Sequence, residues 1–324
     1  MGRLQFQLFL FLVLILSAQS SYALNETKRD SSFIKSYRDL LILKASLVSK
    51  NNQVILENNQ TKEQLRYKPN EWFRLGLGFN YKWMGLSLNL FNPLKKVNTH
   101  ERGITKGLDI QSNIYLRKIG MDLFVHSYRS YYLSNRTAYS NSPVILEDMA
   151  TFAFGGDFFY IFNGEEFSFR ASFNQTEKQL KSAGTWLAGF KTGVYIINTD
   201  SGLVPAPVDI KFNDDFEAKS VGTVSFGVGG GYAYTKVVEK MFYTLSCFPN
   251  LTIEGLNYDM VDYPTKVIGD SFFHVQWKGA IGYNSNDHYL ALFFVNESIP
   301  LGSYFNTSYK YRFGNLKITA AKRF

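Results

Sequence analysis

The sequence is poor in the features that would mark other architectures. One cysteine, Cys247, in 324 residues excludes an intrachain disulfide framework. Beyond residue 16 no apolar run approaches the ~20 residues that a membrane-crossing helix needs, and there are only 8 prolines. Charge is not concentrated either. Lys and Arg number 35 against 27 Asp and Glu, a net +8, but the bases stand singly among Tyr and Phe and do not mass into a patch, so no nucleic acid is expected as a partner. The 4 histidines show no metal-ligand spacing with one another or with Cys247, so no metal and no cofactor is expected. A nucleophile elbow and a phosphate-binding glycine loop are lacking, and Gly227 to Gly231 is not followed by the helix that a dinucleotide fingerprint requires. An enzyme is therefore not the leading reading.

Aromatic residues are abundant: 29 Phe and 21 Tyr bring the aromatic share to 17%, while the mean hydropathy is −0.15. A helical membrane protein would be more hydrophobic and a disordered chain less aromatic. A transmembrane barrel has this balance, because half of each strand faces water and the strand ends carry aromatic girdles. Arg3, the apolar run Leu8 to Leu16 and Ser21-Tyr22-Ala23 read as a cleavable secretion signal over residues 1–23. Residues 24–37 then form an N-terminal periplasmic segment, and 38–324 the barrel.

The pattern is clearest from Gly107 to Tyr131. Leu108, Ile110, Ser112, Ile114 and Leu116 alternate with Asp109, Gln111, Asn113, Tyr115 and Arg117. After Lys118-Ile119-Gly120, Met121, Leu123 and Val125 oppose Asp122, Phe124, His126 and Tyr128. Similar hairpins are expected at 73–90, at 152–174 with a turn at Asn163-Gly164-Glu165, at 221–248, at 273–295 and at 305–324 with a turn at Gly314-Asn315. Phe167, Phe169, Ala171 and Phe173 are taken as the inward-outward alternation of a return strand, Gly227 to Gly231 as a bend or bulge, and Lys50 to Glu71 and Asn250 to Lys266 as loops. The expectation is an all-β fold, an antiparallel up-and-down transmembrane β-barrel with an even strand number, about 12–14. One inconsistency remains: the connections on both sides of the Trp186 to Ile197 strand are long.

In that barrel the wet face collects Lys44, Arg74, Asp109, Arg117, Asp122, His126, Glu166, Arg170, His274 and Lys278. Charges of opposite sign would pair across the lumen, since an unpaired charge in a water-poor interior is costly. His126 and Asp122 share a face but stand ~13 Å apart along the strand, too far to bond. The role read from these residues is passive, a narrow porin-like pore or a structural or surface barrel. The alternatives are a lipid- or glycan-modifying enzyme of the outer membrane and a secreted, soluble β-sheet binding protein. Phe324 ends the chain after an alternating strand, the feature that barrel assembly machinery reads. The expected setting is the outer membrane of a Gram-negative bacterium, as a monomer in contact with membrane lipid and lipopolysaccharide.

Several stretches also resemble a Bacteroidota family, a domain of unknown function for which an outer-membrane barrel is expected: Tyr67-Lys68-Pro69-Asn70, Gly78-Phe79-Asn80-Tyr81-Lys82-Trp83-Met84-Gly85-Leu86-Ser87, Leu203-Val204-Pro205 and Gly231-Tyr232-Ala233-Tyr234-Thr235. The resemblance implies location and fold and brings no catalytic residues.

Overall fold

The computed structural model describes residues 30–71, 73–81, 84–91, 98–136, 140–205, 218–260, 266–304 and 306–324; the expected signal segment 1–23 lies outside them. In chain order the strands are β1 Ile34–Ser36, β2 Ile42–Lys50, β3 Gln53–Asn58, β4 Gln64–Pro69, β5 Phe73–Tyr81, β6 Met84–Phe91, β7 Lys106–Tyr115, β8 Ile119–Leu133, β9 Ile145–Ile161, β10 Glu177–Gln179, β11 Ala183–Asn198, β12 Ala218–Val238, β13 Met241–Met260, β14 Lys266–Asn284, β15 His288–Tyr304 and β16 Thr307–Arg323. A short helix, Thr99–Arg102, precedes β7.

Ladders run antiparallel from β8 through β9, β11, β12, β13, β14 and β15 to β16. β16 then pairs with β2 along its second half and with β3 along its first, so β2 and β3 are two parts of one wall strand. β4 and β5 continue the ring in the same way, and β4 joins β8 through Tyr67–Leu133, Lys68–Tyr132 and Pro69–Tyr131. The result is an all-β antiparallel barrel whose closed ring has ten strands. Toward the end that carries both termini, β6 adds to the edge of β5 and β7 to that of β8; among the described residues no ladder joins β6 to β7.

Ten is fewer than the alternation suggested, because several expected turns and loops are strand. Gly314-Asn315 lies within β16, where Gly314 pairs with Asn296 and Asn315 with Val295. The stretch from Asn250 is a continuation of β13 in register with β14. Pro69 sits inside a ladder opposite Tyr131. At Gly227 to Gly231 the β12 register runs through without a shift. Gly227, Gly229 and Gly231 alternate onto the inner side and Gly230 onto the outer one, and a Cβ at Gly231 would lie 2.2 Å from the Cys247 carbonyl oxygen; the inner glycines make room for neighbouring strands and do not break this one.

The largest correction concerns 162–182. The alternating Phe167 to Asn174 stretch is not barrel wall. It enters the mouth at the terminal end and closes there as a π-helical turn, Arg170–Asn174, after which β10 pairs with β1. Phe167, Ser168, Phe169, Arg170, Ala171 and Ser172 are all buried, both parities alike, which no wall strand with one lipid-facing side would be. Glu166 and Arg170 are therefore residues of a plug, and Arg117 lies in the 116–118 turn, paired with Glu165 at the rim. This plug is also the long connection that spoiled the loop pattern.

Outside, the wall carries an apolar belt. Val224, Phe226, Val228, Leu245, Leu251, Ile253, Phe273, Leu290, Leu292, Leu316 and Ile318 are exposed, with Tyr232, Tyr234, Tyr243, Trp277 and Tyr283 toward the terminal end. On β16 the belt fits between Arg312 and Lys322, close to the ~9–11 residues of a strand that crosses a bilayer. Leaving so many large apolar groups in water would cost about 25 cal/mol per Å², whereas acyl chains solvate them without that cost.

Candidate functional site

The lumen is the candidate site, and side chains block it at several levels. Toward the long loops Tyr67, Tyr131, Tyr195, Tyr309 and Tyr311 are at most 1% exposed and pack with Val54, Leu56, Leu133, Ile197, Ile299 and Leu301. Leu203, fully buried, closes this layer from the 199–205 loop, where its carbonyl accepts a hydrogen bond from the Tyr67 hydroxyl at 2.6 Å. The loop is tied down by Asp148 at the start of β9, whose carboxylate accepts from the Thr199 hydroxyl and from the backbone N–H groups of Asp200 and Ser201 at 2.7–2.8 Å. Partial burial pushes the Asp148 carboxyl up, but hydrogen bonds from Thr199, Ser201 and Asp200 outweigh it and hold it down at about 2.

Below this layer lie three charge clusters. Lys191 of β11 donates to Asp157 of β9 at 3.1 Å and to Glu297 of β15. Gln276 of β14 donates to both carboxylates, at 2.7 and 3.1 Å. His274 stands 3.4 Å from Glu297, with its other ring nitrogen 3.0 Å from the Thr252 hydroxyl. The second cluster is Asp109, with Lys50 at 2.8 Å, the Tyr128 hydroxyl at 2.6 Å and His126 at 3.7 Å. In the third, Asp122 accepts from Lys278, from Asn113 and, at 2.6 Å, from the Tyr115 hydroxyl. The first cluster draws on four strands that only barrel closure brings together.

Of the sequence-expected residues, Asp109, Asp122, His126, His274 and Lys278 meet in the lumen, each no more than 9% exposed. His126 partners Asp109 across the β7–β8 ladder and not Asp122 on its own strand. Arg170 serves the plug, bonding the Tyr115 carbonyl and facing Glu177 at 3.4 Å, and Glu166 accepts from Asn163 at the rim. Sequence reasoning passed over Lys50, Asp157, Lys191, Glu177 and Glu297. The signal was present for Lys191 and Asp157, each the one charge in a run, 183–197 and 149–161, that is otherwise apolar, glycine or threonine.

At the terminal end the plug is bonded around the whole mouth. Ser172 meets Thr244 of β13 at 2.6 Å, the Tyr289 hydroxyl of β15 donates to the Ser172 carbonyl at 2.5 Å, and Asn80 of β5 donates to the Asn174 carbonyl at 3.2 Å. Arg323 donates to the Gln175 carbonyl at 2.9 Å and lies over the Tyr37 ring. Chemically, Thr252, His274 and Glu297 line up as hydroxyl, imidazole and carboxylate. They are 1%, 6% and 0% exposed, so no substrate carbonyl reaches the hydroxyl. Among the described residues no group of three or more His, Cys, Asp or Glu is arranged to hold a metal ion.

A family model described as a domain of unknown function (DUF4421) matches residues 28–324. Curated protein sequences give no match. Among solved structures the chain is similar to the outer membrane protease OmpT of Escherichia coli, at 8% identity and a TM-score of 0.39, covering 90% of this chain and 98% of that one. It is also similar to the toluene transporter TodX of Pseudomonas putida, at 9% identity and a TM-score of 0.31, with 88% and 90% covered. A FadL homologue of Pseudomonas aeruginosa follows at 9% identity and 0.23, with 93% and 95% covered.

Proposed function

We propose, for a chain that belongs to the family described as a domain of unknown function (DUF4421), that it is a non-conducting outer-membrane barrel with a structural or surface role. The observation that carries the reading is the tyrosine layer: Tyr67, Tyr131, Tyr195, Tyr309 and Tyr311, from four different strands, are no more than 1% exposed inside the lumen toward the long loops. Ions cross a barrel through a continuous water column, and this layer, the ion clusters and the plug each interrupt one. Of the two passive roles read from the sequence, the scaffold is the one that the blocked lumen supports. The belt, and the long loops at the end away from the termini, favour the outer membrane of a Gram-negative bacterium, with residues 1–23 removed on export. Arg312, outward-facing on β16 beyond the belt, suits anionic lipopolysaccharide.

Planar-bilayer recording on the refolded full chain tests the reading. Membranes that contain the protein are expected to show no conductance steps at voltages where a porin control gives them. Regular, protein-dependent steps would overturn the scaffold and restore the pore.

A further inference from the structure

The lumen has a wet wall as well as a dry one. Around Lys191 the carboxylates of Asp157 and Glu297 are matched and enclosed. On β2, β16 and β7 some inward-facing groups are accessible: Gln111 and Asn113 are exposed, and Lys44, Ser46, Asn315 and Lys317 only partly buried, while Val48, Asp109 and Thr319 are buried among them. This wall is tied together by neutral bonds, Asn315 to Gln111 at 3.0 Å and Ser46 to Thr319 at 2.8 Å. Its charge is one-sided. Lys50 is matched by Asp109, but among the described residues neither Lys44 nor Lys317 has a carboxylate or a hydrogen-bond acceptor. Lys44 feels the charge of Lys317, and Lys317 that of Lys50. Lys317 rests over the Phe293 ring at 4.8 Å, an aromatic contact that favours a cation but does not neutralise it. β6, the strand next to β5, has no acidic residue.

Two ammonium groups without a counter-charge among the described residues, held at the depth of the apolar belt, are expensive unless an anion accompanies them. We propose that the β2–β16–β7 side of the lumen is a binding cavity for an oxyanion, a phosphate or carboxylate group held between Lys44 and Lys317. The Ser46 and Thr319 hydroxyls lie between the two lysines in the β2–β16 register; one donates to the other at 2.8 Å, which leaves one hydroxyl hydrogen to donate to the anion. Such a group can arrive as a free anion, or as the head of an amphiphile that enters where no ladder joins β6 to β7 among the described residues. The site does not depend on the scaffold reading, because a side cavity can be occupied whether or not the barrel conducts.

The test is calorimetric titration of the full chain, folded in a neutral maltoside detergent and free of phosphate, with inorganic phosphate in one arm and octyl phosphate in the other. At least one is expected to saturate near one per barrel, and Lys44→Gln/Lys317→Gln is expected to weaken it at least tenfold, while Lys322→Gln, on the outer face, leaves it unchanged. Octyl phosphate binding more tightly than inorganic phosphate assigns the head of an amphiphile; equal binding assigns a free anion. The single variants, checked for folding by heat-dependent gel migration, replace the double one should it not fold. Absence of saturable binding in both arms, or equal affinity in wild type and in the folded variants, overturns the site.

Discussion

At the scale of single residues the molecule depends on Lys191, which is 1% exposed and bridges Asp157 and Glu297, themselves 2% and 0% exposed. A buried pair contributes little net stability relative to an apolar substitute, but removing one partner leaves the other charge stranded. Lys191→Met would strand two carboxylates together. We expect it to destabilise the folded barrel by ~3–5 kcal/mol, read as a lower urea midpoint in detergent micelles, and Lys191→Met/Asp157→Leu/Glu297→Leu to recover most of the loss. If the single variant unfolds where the wild type does, the lumen is wetter than the geometry implies. The five sequence-expected lumen groups were legible because they alternate with aliphatic residues. Lys191 and Asp157 stand out as single charges, but their pairing with each other and with Glu297 was not legible, because the partners lie 34 and 106 positions away and the alternation does not say which strands meet.

At the scale of elements the long-loop end is held by a polar anchor. Asp148 keeps the 199–205 loop over the tyrosine layer through hydrogen bonds that only its ionised form accepts in full. The sign follows from its carboxyl, held down at about 2 against an ordinary 3.8. The anchor is complete above pH 4 and is lost as pH falls through about 2. Amide exchange at Asp200 and Ser201 is therefore expected to accelerate between pH 4 and pH 2 more than in the neighbouring β9 strand, and Asp148→Asn to exchange fast across the whole range. Protection that is flat with pH would dispose of this anchor. Hairpin identity was readable where the alternation is strong on both arms, as in β7–β8, β12–β13 and β14–β15. It failed for Phe167 to Asn174 because burial there comes from all sides: Phe167, Phe169 and Phe173 pack on the wall while Ser168, Arg170 and Ser172 bond to it. A period of two then reflects composition and not a pleated face. It also failed at strand ends, where β13 and β16 run on through Asn, Gly and Pro because a neighbour supplies the ladder.

At the scale of the whole molecule the belt decides what solvates the outside. Val228, 55% exposed in mid-belt on β12, faces acyl chains in this reading, whereas Ser308 on β16 lies beyond it. Val228→Lys should cost ~2–4 kcal/mol when the chain folds into lipid vesicles, measured by urea titration, and Ser308→Lys close to nothing. Equal, small effects would mean that water, and not lipid, covers the wall. The ring itself has a temporal consequence. β16, the last barrel strand in chain order, pairs with the first, with Ser46 bonded to Thr319 across 273 positions and Phe324 paired with Leu41. The circle therefore cannot shut before β16 is exported. Until it arrives, the nascent sheet has two raw edges open to aberrant pairing, and substitutions that break the β2–β16 ladder should be far more damaging to assembly than their small share of the contacts suggests.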